Sequence, residues 1–212
     1  WPELLSTGMT TPDPVSLQQA FQDMLSAGAT LCAIEASSIG IAEHRLDGTR
    51  IHTAIFTNFT QDHLDYHGSM AEYWAAKRAL FGWQGLKAAV VNMDDPRGAL
   101  LAQELAGSGL DLWTCSRQQA ARLVATSLPS PDGLSFEVRE GDQSGVLHTR
   151  LLGDYNIDNL LGVIGALRAQ GVTLPQAINA CSRLTAVPGR MQRVPGSAAQ
   201  DESRQPVVLV DY

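Results

Sequence analysis

Apolar residues along this chain gather into short continuous runs separated by stretches of helical period. ATLCAIEA (29–36), IHTAIFTN (51–58) and KAAVVN (87–92) are nearly unbroken, the pattern of strands buried on both faces of a parallel sheet. LDLWTC (110–115) predicts a further strand. Between and after these runs the spacing changes to that of helices: SMAEYWAAKRALFG from about Ser69 to Gly82, and PRGALLAQELAG after the third run. Near the start, Ser16 in the Pro-rich TTPDPVS (10–16) is a candidate cap for a helix through LQQAFQDMLSAG. Strand alternating with helix predicts an α/β fold, a doubly wound, mostly parallel sheet flanked by helices.

The stretch 121–152 has a different rhythm. LSFEVRE and GVLHTRLL alternate apolar and polar residues around EGDQSG, which predicts a hairpin within a small antiparallel β subdomain. DYNIDNLLGVIGALRAQG and LPQAINACSRL then predict two helices, and PVVLVDY a last strand reaching the final residue. Such a strand normally delivers a functional residue at its carboxyl end. With no obvious initiating element in WPELLSTG, the expectation is one domain over 1–212, truncated at both ends.

Composition narrows the function. The 212 residues carry 22 acidic and 15 basic side chains, net −7, with no Lys/Arg run to track a phosphate backbone, so nucleic acid is not an expected partner. No apolar segment reaches the ~18 residues of a membrane span. Cys32, Cys115 and Cys181 are odd in number and widely spaced; Cys32 and Cys181 sit in apolar or helical stretches, as buried thiols do. That usage predicts a reducing, cytoplasmic setting.

Candidate chemistry lies at the carboxyl ends of the first two runs. Glu35 ends one, and Thr57-Asn58 of the other leads into Asp62, His63, Asp65 and His67. Ligands of open parallel sheets sit beyond such ends, where Glu35 and His63 can converge on Mg²⁺ or Mn²⁺. Spacing alone leaves open that Glu35 caps a helix and the histidines are surface residues. Lys77, one of only two lysines, has the default reading of a solvated helix residue. No G-x-x-x-x-G-K-[ST] loop is present. Asn156 and Asn159 lie three apart on a helix, either reading an adenine edge or capping. Arg190 stands on a Pro-Gly turn suited to phosphate or ribose, and Asp211 can accept from a ribose hydroxyl.

The strings EASSIG (35–40), EHRLDG (43–48), TNFTQDHLDYHG (57–68), EYWAAKRALF (72–81), DYNIDNLLG (154–162), GRMQR (189–193) and VDY (210–212) together resemble the Mur ligase family, in its order and over nearly the whole chain. EHRLDG and DHLDYHG are most similar to the MurE branch, which adds the third residue to UDP-MurNAc-L-Ala-D-Glu. The resemblance implies the family's central ATPase domain. Its N-terminal UDP-binding domain, phosphate loop and C-terminal domain would lie outside these residues. It implies ATP as substrate, Mg²⁺ held by Glu35, His63 and a CO₂-carbamylated Lys77, and an amino acid such as meso-diaminopimelate as the incoming amine. Thr10, Thr11, Ser37, Glu43 and Arg45 match contacts to the UDP-MurNAc dipeptide; Asn156, Asn159, Arg190 and Asp211 match the nucleotide side. A monomer without ligase activity of its own is expected for the 212 residues. Met9, Ile39 and Glu43 depart from residues common in the family, Asn, His and Gln respectively. Alternatives are a MurF or folylpolyglutamate synthetase type of ligase, or a non-catalytic scaffold with the same fold.

Overall fold

A computed structural model describes residues 7–194 and 208–211. The opening WPELLS and Tyr212 of the VDY string lie outside the described residues. The chain divides into two units, Trp1–Ala54 with Phe59–Lys87, and Ile55–Asn58 with Ala88–Tyr212.

In the first unit, α1 (Pro14–Ser26) starts with Pro14 at its first position, where a missing N–H costs nothing. Its cap is Asp13, whose carboxylate accepts from the Val15 and Ser16 amides, so the expectation that Ser16 caps this helix is corrected. Asp13 wins because the proline fixes the helix start one residue after it. A short helix α2 (Ser38–Ala42) and the pair α3 (Leu64–His67) and α4 (Met70–Ala79) follow, α4 ending in a 3₁₀ turn at Leu80–Gly82. Leu17, Ile41 and Leu46 form the small core, with Phe21, Leu80 and Trp83 packed against them. The run 29–36 is a second correction: it forms no strand, and Leu31, Ile34 and Cys32 are exposed. Apolar composition favours burial, but a strand also requires a neighbouring ladder, and no described strand pairs with this run.

The second unit holds most of the sheet. β1 (Thr53–Phe56), β2 (Ala88–Asn92), β3 (Asp111–Ser116), β4 (Leu123–Leu128), β5 (Leu134–Glu140) and β6 (Gln143–Thr149) lie side by side in chain order. β2–β3 and β3–β4 pair parallel; β4–β5 and β5–β6 pair antiparallel. The predicted hairpin is present, and β4 makes it continuous with the parallel strands. α5 (Pro96–Leu105), α6 (Tyr155–Ala169) and α7 (Leu174–Ser182) complete the unit with a separate ribbon of β7 (Gln192–Val194) and β8 (Val208–Val210). The last strand expected of PVVLVDY is present as β8 over its described residues, exposed and antiparallel to β7.

Neighbouring residues of a strand point to opposite faces. Ile55 meets α6 at Gly162, while Phe56 meets α5 at Gly98, so these helices cover opposite faces. α6 buries Ile157, Leu160, Leu161 and Ile164 in a core with Val90, Trp113, Phe136 and Leu147. Burying each such side chain contributes about 1.5–3 kcal/mol. Both helices approach through glycine. A Cβ on Gly165 would lie 2.6 Å from Val90 Cγ1, and one on Gly98 only 1.9 Å from the Asn92 carbonyl oxygen. Backbone cannot yield as a flexible side chain does. Gly98→Ala is therefore expected to destabilise the chain by about 3 kcal/mol in urea unfolding, with Leu100→Ala, at an exposed position of the same helix, nearly neutral.

Candidate functional site

Glu35 is positioned by a threonine. The buried Thr11 hydroxyl donates to the Glu35 carbonyl oxygen at 2.8 Å, accepts from the Ser37 N–H at 3.0 Å and lies 3.0 Å from Ser37 Oγ. Ser37 Oγ in turn caps α2 through the Gly40 N–H. The contact is close enough that a Cβ on Gly40 would sit 2.7 Å from Thr11 Cβ. Without strand pairing, this clip fixes the loop on which Glu35 stands. Arg45 is bound to the same region: Nη1 donates to the Thr11 carbonyl at 2.9 Å, and Nε and Nη2 fork onto Glu43. Tyr66 hydrogen-bonds Glu43 as well, and its hydroxyl pKa is raised by burial first and by that carboxylate second. Thr11, Ser37, Glu43 and Arg45 are thus brought together. Thr10 is exposed beside them in sequence.

His63 precedes α3 in the left-handed backbone region, φ 53° and ψ 26°, an uncommon state for a residue with a Cβ. Its Nε2 lies 3.5 Å from Asp62 Oδ2. Its ring stands edge-on to Tyr73, centroids 5.8 Å apart. Lys77 lies one helical turn beyond Tyr73, with Nζ 5.2 Å from that ring's centroid. Lys77 is half-buried, and loss of water pulls its pKa below the ordinary lysine value. Glu35 and Asp62 oppose that shift by attraction, which places both carboxylates within electrostatic reach of the amine. Lys77 is therefore not the solvated helix residue of the default reading. Among the described residues, no three of His, Cys, Asp and Glu form a cluster that can hold a metal. A divalent cation here needs a further donor beyond Glu35, His63 and their neighbours. A carbamate on Lys77, an oxygen donor replacing a cation, fits that need.

Sequence reasoning gave no role to Asp62, His67 or Tyr73. His67 is buried, stacks on Tyr73 at 5.3 Å and hydrogen-bonds Ser38 Oγ at 2.9 Å. The spacing of Tyr73 and Lys77, four apart on one helix face, was the available signal.

The nucleotide candidates lie in the second unit. Asn156 is inside α6 and donates to the Leu152 carbonyl at 2.7 Å; Asn159 donates to Asn156 Oδ1 at 3.1 Å. They form a joined amide pair, and neither caps the helix, whose cap position is Asp154. Arg117, on the β3–β4 connection, anchors this helix end by donating to the Asp154 carbonyl and carboxylate. Asp94 accepts from the Arg117 N–H at 2.7 Å. Asp211 accepts from the Met191 N–H at 3.2 Å, which sets it beside the turn carrying Arg190. Buried Cys115 and Cys181 have thiols pushed up to about 12 and about 11, too high for nucleophilic work.

Residues 3–167 match the Mur ligase middle domain. The chain belongs to the Mur ligase family. Among Mur ligases it is 60% identical, over 212 residues, to the UDP-N-acetylmuramoyl-L-alanyl-D-glutamate–2,6-diaminopimelate ligase of Acidovorax sp. (strain JS42), covering 100% of this chain and 41% of that protein. The like-named protein of Janthinobacterium sp. (strain Marseille) is 45% identical over 214 residues, covering 97% of this chain and 41% of its own length. A solved structure of a ligase of that name superposes with a TM-score of 0.83 at 33% identity, over 92% of this chain and 40% of that one. MurF from Acinetobacter baumannii shares the fold, with a TM-score of 0.60 at 18% identity over 70% of this chain and 32% of that one. This Mur ligase chain thus spans about 40% of the relatives it matches.

The lowered Lys77 pKa carries a sign. Between that value and the unfolded 10.5 the unfolded chain binds more protons, so stability rises with pH there. Lys77→Met, which keeps the stem and removes the charge, is expected to be more stable than the parent at pH 7. The gap should close as pH approaches 10.5, read as the difference between paired urea titrations.

Proposed function

We propose that this chain is the central domain of an ATP-dependent ligase that adds meso-diaminopimelate as third residue to UDP-MurNAc-L-Ala-D-Glu, in cytoplasmic peptidoglycan synthesis. The observation that carries the reading is Lys77, half-buried, within electrostatic reach of Glu35 and Asp62 and sharing an aromatic neighbour with His63. The names of the relatives supply the substrates.

The division of labour follows from the side chains. Lys77 loses a proton more readily than an exposed lysine, and its neutral amine can attack CO₂; the N–C bond forms, one proton leaves, and a carbamate remains. Glu35, His63 and that carbamate would hold Mg²⁺, which when bound neutralises charge on a transferring phosphoryl group. Thr11, Ser37 and Arg45 hold the dipeptide substrate with Thr10. Arg45 is pre-oriented by Glu43 and the Thr11 carbonyl, so little side-chain freedom is lost on binding. Glu43 takes up part of the Arg45 charge, which weakens this subsite toward acidic groups relative to a Gln at that position. The Asn156–Asn159 pair reads adenine, and Arg190 with Asp211 holds the ribose and phosphate side.

The test is a chimera of the Acidovorax relative in which the matching segment is replaced by these 212 residues. It is expected to join meso-diaminopimelate to UDP-MurNAc-L-Ala-D-Glu with ATP consumption, and Lys77→Ala should lower kcat by about 100-fold, the size seen when charge-stabilising groups are removed. The 212 residues alone should give no turnover, because they contain no phosphate loop. A folded chimera without ligation would leave only the scaffold reading.

A further inference from the structure

Tyr73 carries none of the roles that the family resemblance assigns, yet its ring meets both Lys77 and His63. It is 4% exposed, and α4 places it one turn before Lys77. The Lys77 Nζ lies over the ring at 5.2 Å, and the His63 imidazole stands against it at 5.8 Å and 85°. The ring is itself held. Phe59 lies 4.9 Å away at 33°, and His67 stacks at 5.3 Å and 27°. His67 is tethered by Ser38 Oγ at 2.9 Å, and Ser38 opens α2 directly after the loop that carries Glu35. One aromatic ring therefore joins α3, α4 and, through His67, the start of α2.

We propose that Tyr73 is a positioning residue that fixes the Lys77 amine and the His63 imidazole relative to one another through one shared ring. An edge-to-face contact constrains the imidazole plane, and a cation over the ring constrains the lysine head without a hydrogen bond that a later ligand must break. The ring face and edge supply both contacts, so Phe serves in place of Tyr and an aliphatic residue does not. The functional part of this proposal rests on the reading that Glu35, His63 and Lys77 share a divalent cation.

The chain has two lysines, Lys77 and Lys87, so lysine-labelled protein gives signals that Lys77→Arg assigns at once. With labelled lysine and histidine, the 212-residue chain should show cross-relaxation from the Tyr73 ring to the Lys77 ε-protons and the His63 ring. Tyr73→Phe should keep both; Tyr73→Met should lose both while the amide spectrum of the second unit stays in place. On titration with Mn²⁺ in CO₂-equilibrated buffer, which supplies the Lys77 carbamate, the His63 and Lys77 signals should broaden together in the parent and in Tyr73→Phe. Tyr73→Met should require about tenfold more Mn²⁺, as when an outer partner of a metal ligand is removed. Absence of the cross-relaxation in the parent chain overturns the proposal, as does a folded Tyr73→Met whose signals broaden at the same Mn²⁺ concentration as those of a responding parent. Should Tyr73→Met fail to fold, the comparison of parent with Tyr73→Phe decides, because loss of either contact on replacing Tyr by Phe also overturns it. Contacts that are present without any response to Mn²⁺ refute the shared-cation reading alone, and the positioning claim then stands on the cross-relaxation.

Discussion

Partial burial of an ammonium is the constraint around which the first unit is arranged. Desolvation disfavours the charged form of Lys77, and the two carboxylates that oppose this, Glu35 and Asp62, come from separate loops. Neither loop belongs to a strand or a long helix, so each needs its own anchor. The Thr11 hydroxyl supplies one, by bonding the Glu35 carbonyl and the Ser37 N–H on either side of Ala36, and in the other the Asp62 carboxylate accepts from the His63 N–H. A group that is costly to charge in place is also one that chemistry can neutralise. The same burial that works against the folded chain favours the neutral amine that the proposed carbamylation requires.

The second unit solves a different problem, the support of a rigid amide pair. α6 lies close on the sheet because Gly162 and Gly165 present no side chains to Ile55 and Val90. Its amino end is held from a neighbouring connection by Arg117, whose backbone is fixed by Asp94. Burial raises the pKa of Asp158 on the same helix, and the Arg117 guanidinium works against that shift. The helix end is thus placed by long-range charge and not by its own cap residue, which makes no side-chain capping bond.

Periodicity made most of this architecture legible. β2, β3, the β5–β6 hairpin and helices α4 to α7 stand where the apolar spacing predicts them. The failures share a cause. The 29–36 run has strand composition, but composition reports preference for an apolar environment and not whether a hydrogen-bonding neighbour exists. In TTPDPVS both Asp13 and Ser16 are chemically able to cap, and the proline between them decided in favour of Asp13. Most candidate residues took their roles from the order and spacing of seven strings, which no single string carries, with Thr10 and Thr11 added from the Pro-rich loop before them. Tyr73 was visible as the i, i+4 partner of Lys77, whereas the bonds from Arg117 to Asp154 and from Asp94 to Arg117 join residues 37 and 23 positions apart and leave no local trace.

The backbone at His63 restricts what sequence drift can do at this position. Its left-handed φ of 53° charges an ordinary L-residue about 1–3 kcal/mol, and β-branched side chains fare worst. Glycine and asparagine tolerate the twist, but neither brings an imidazole nitrogen. The torsion alone therefore narrows replacement at position 63 to the few residue types that accept a left-handed backbone, whatever the ring does.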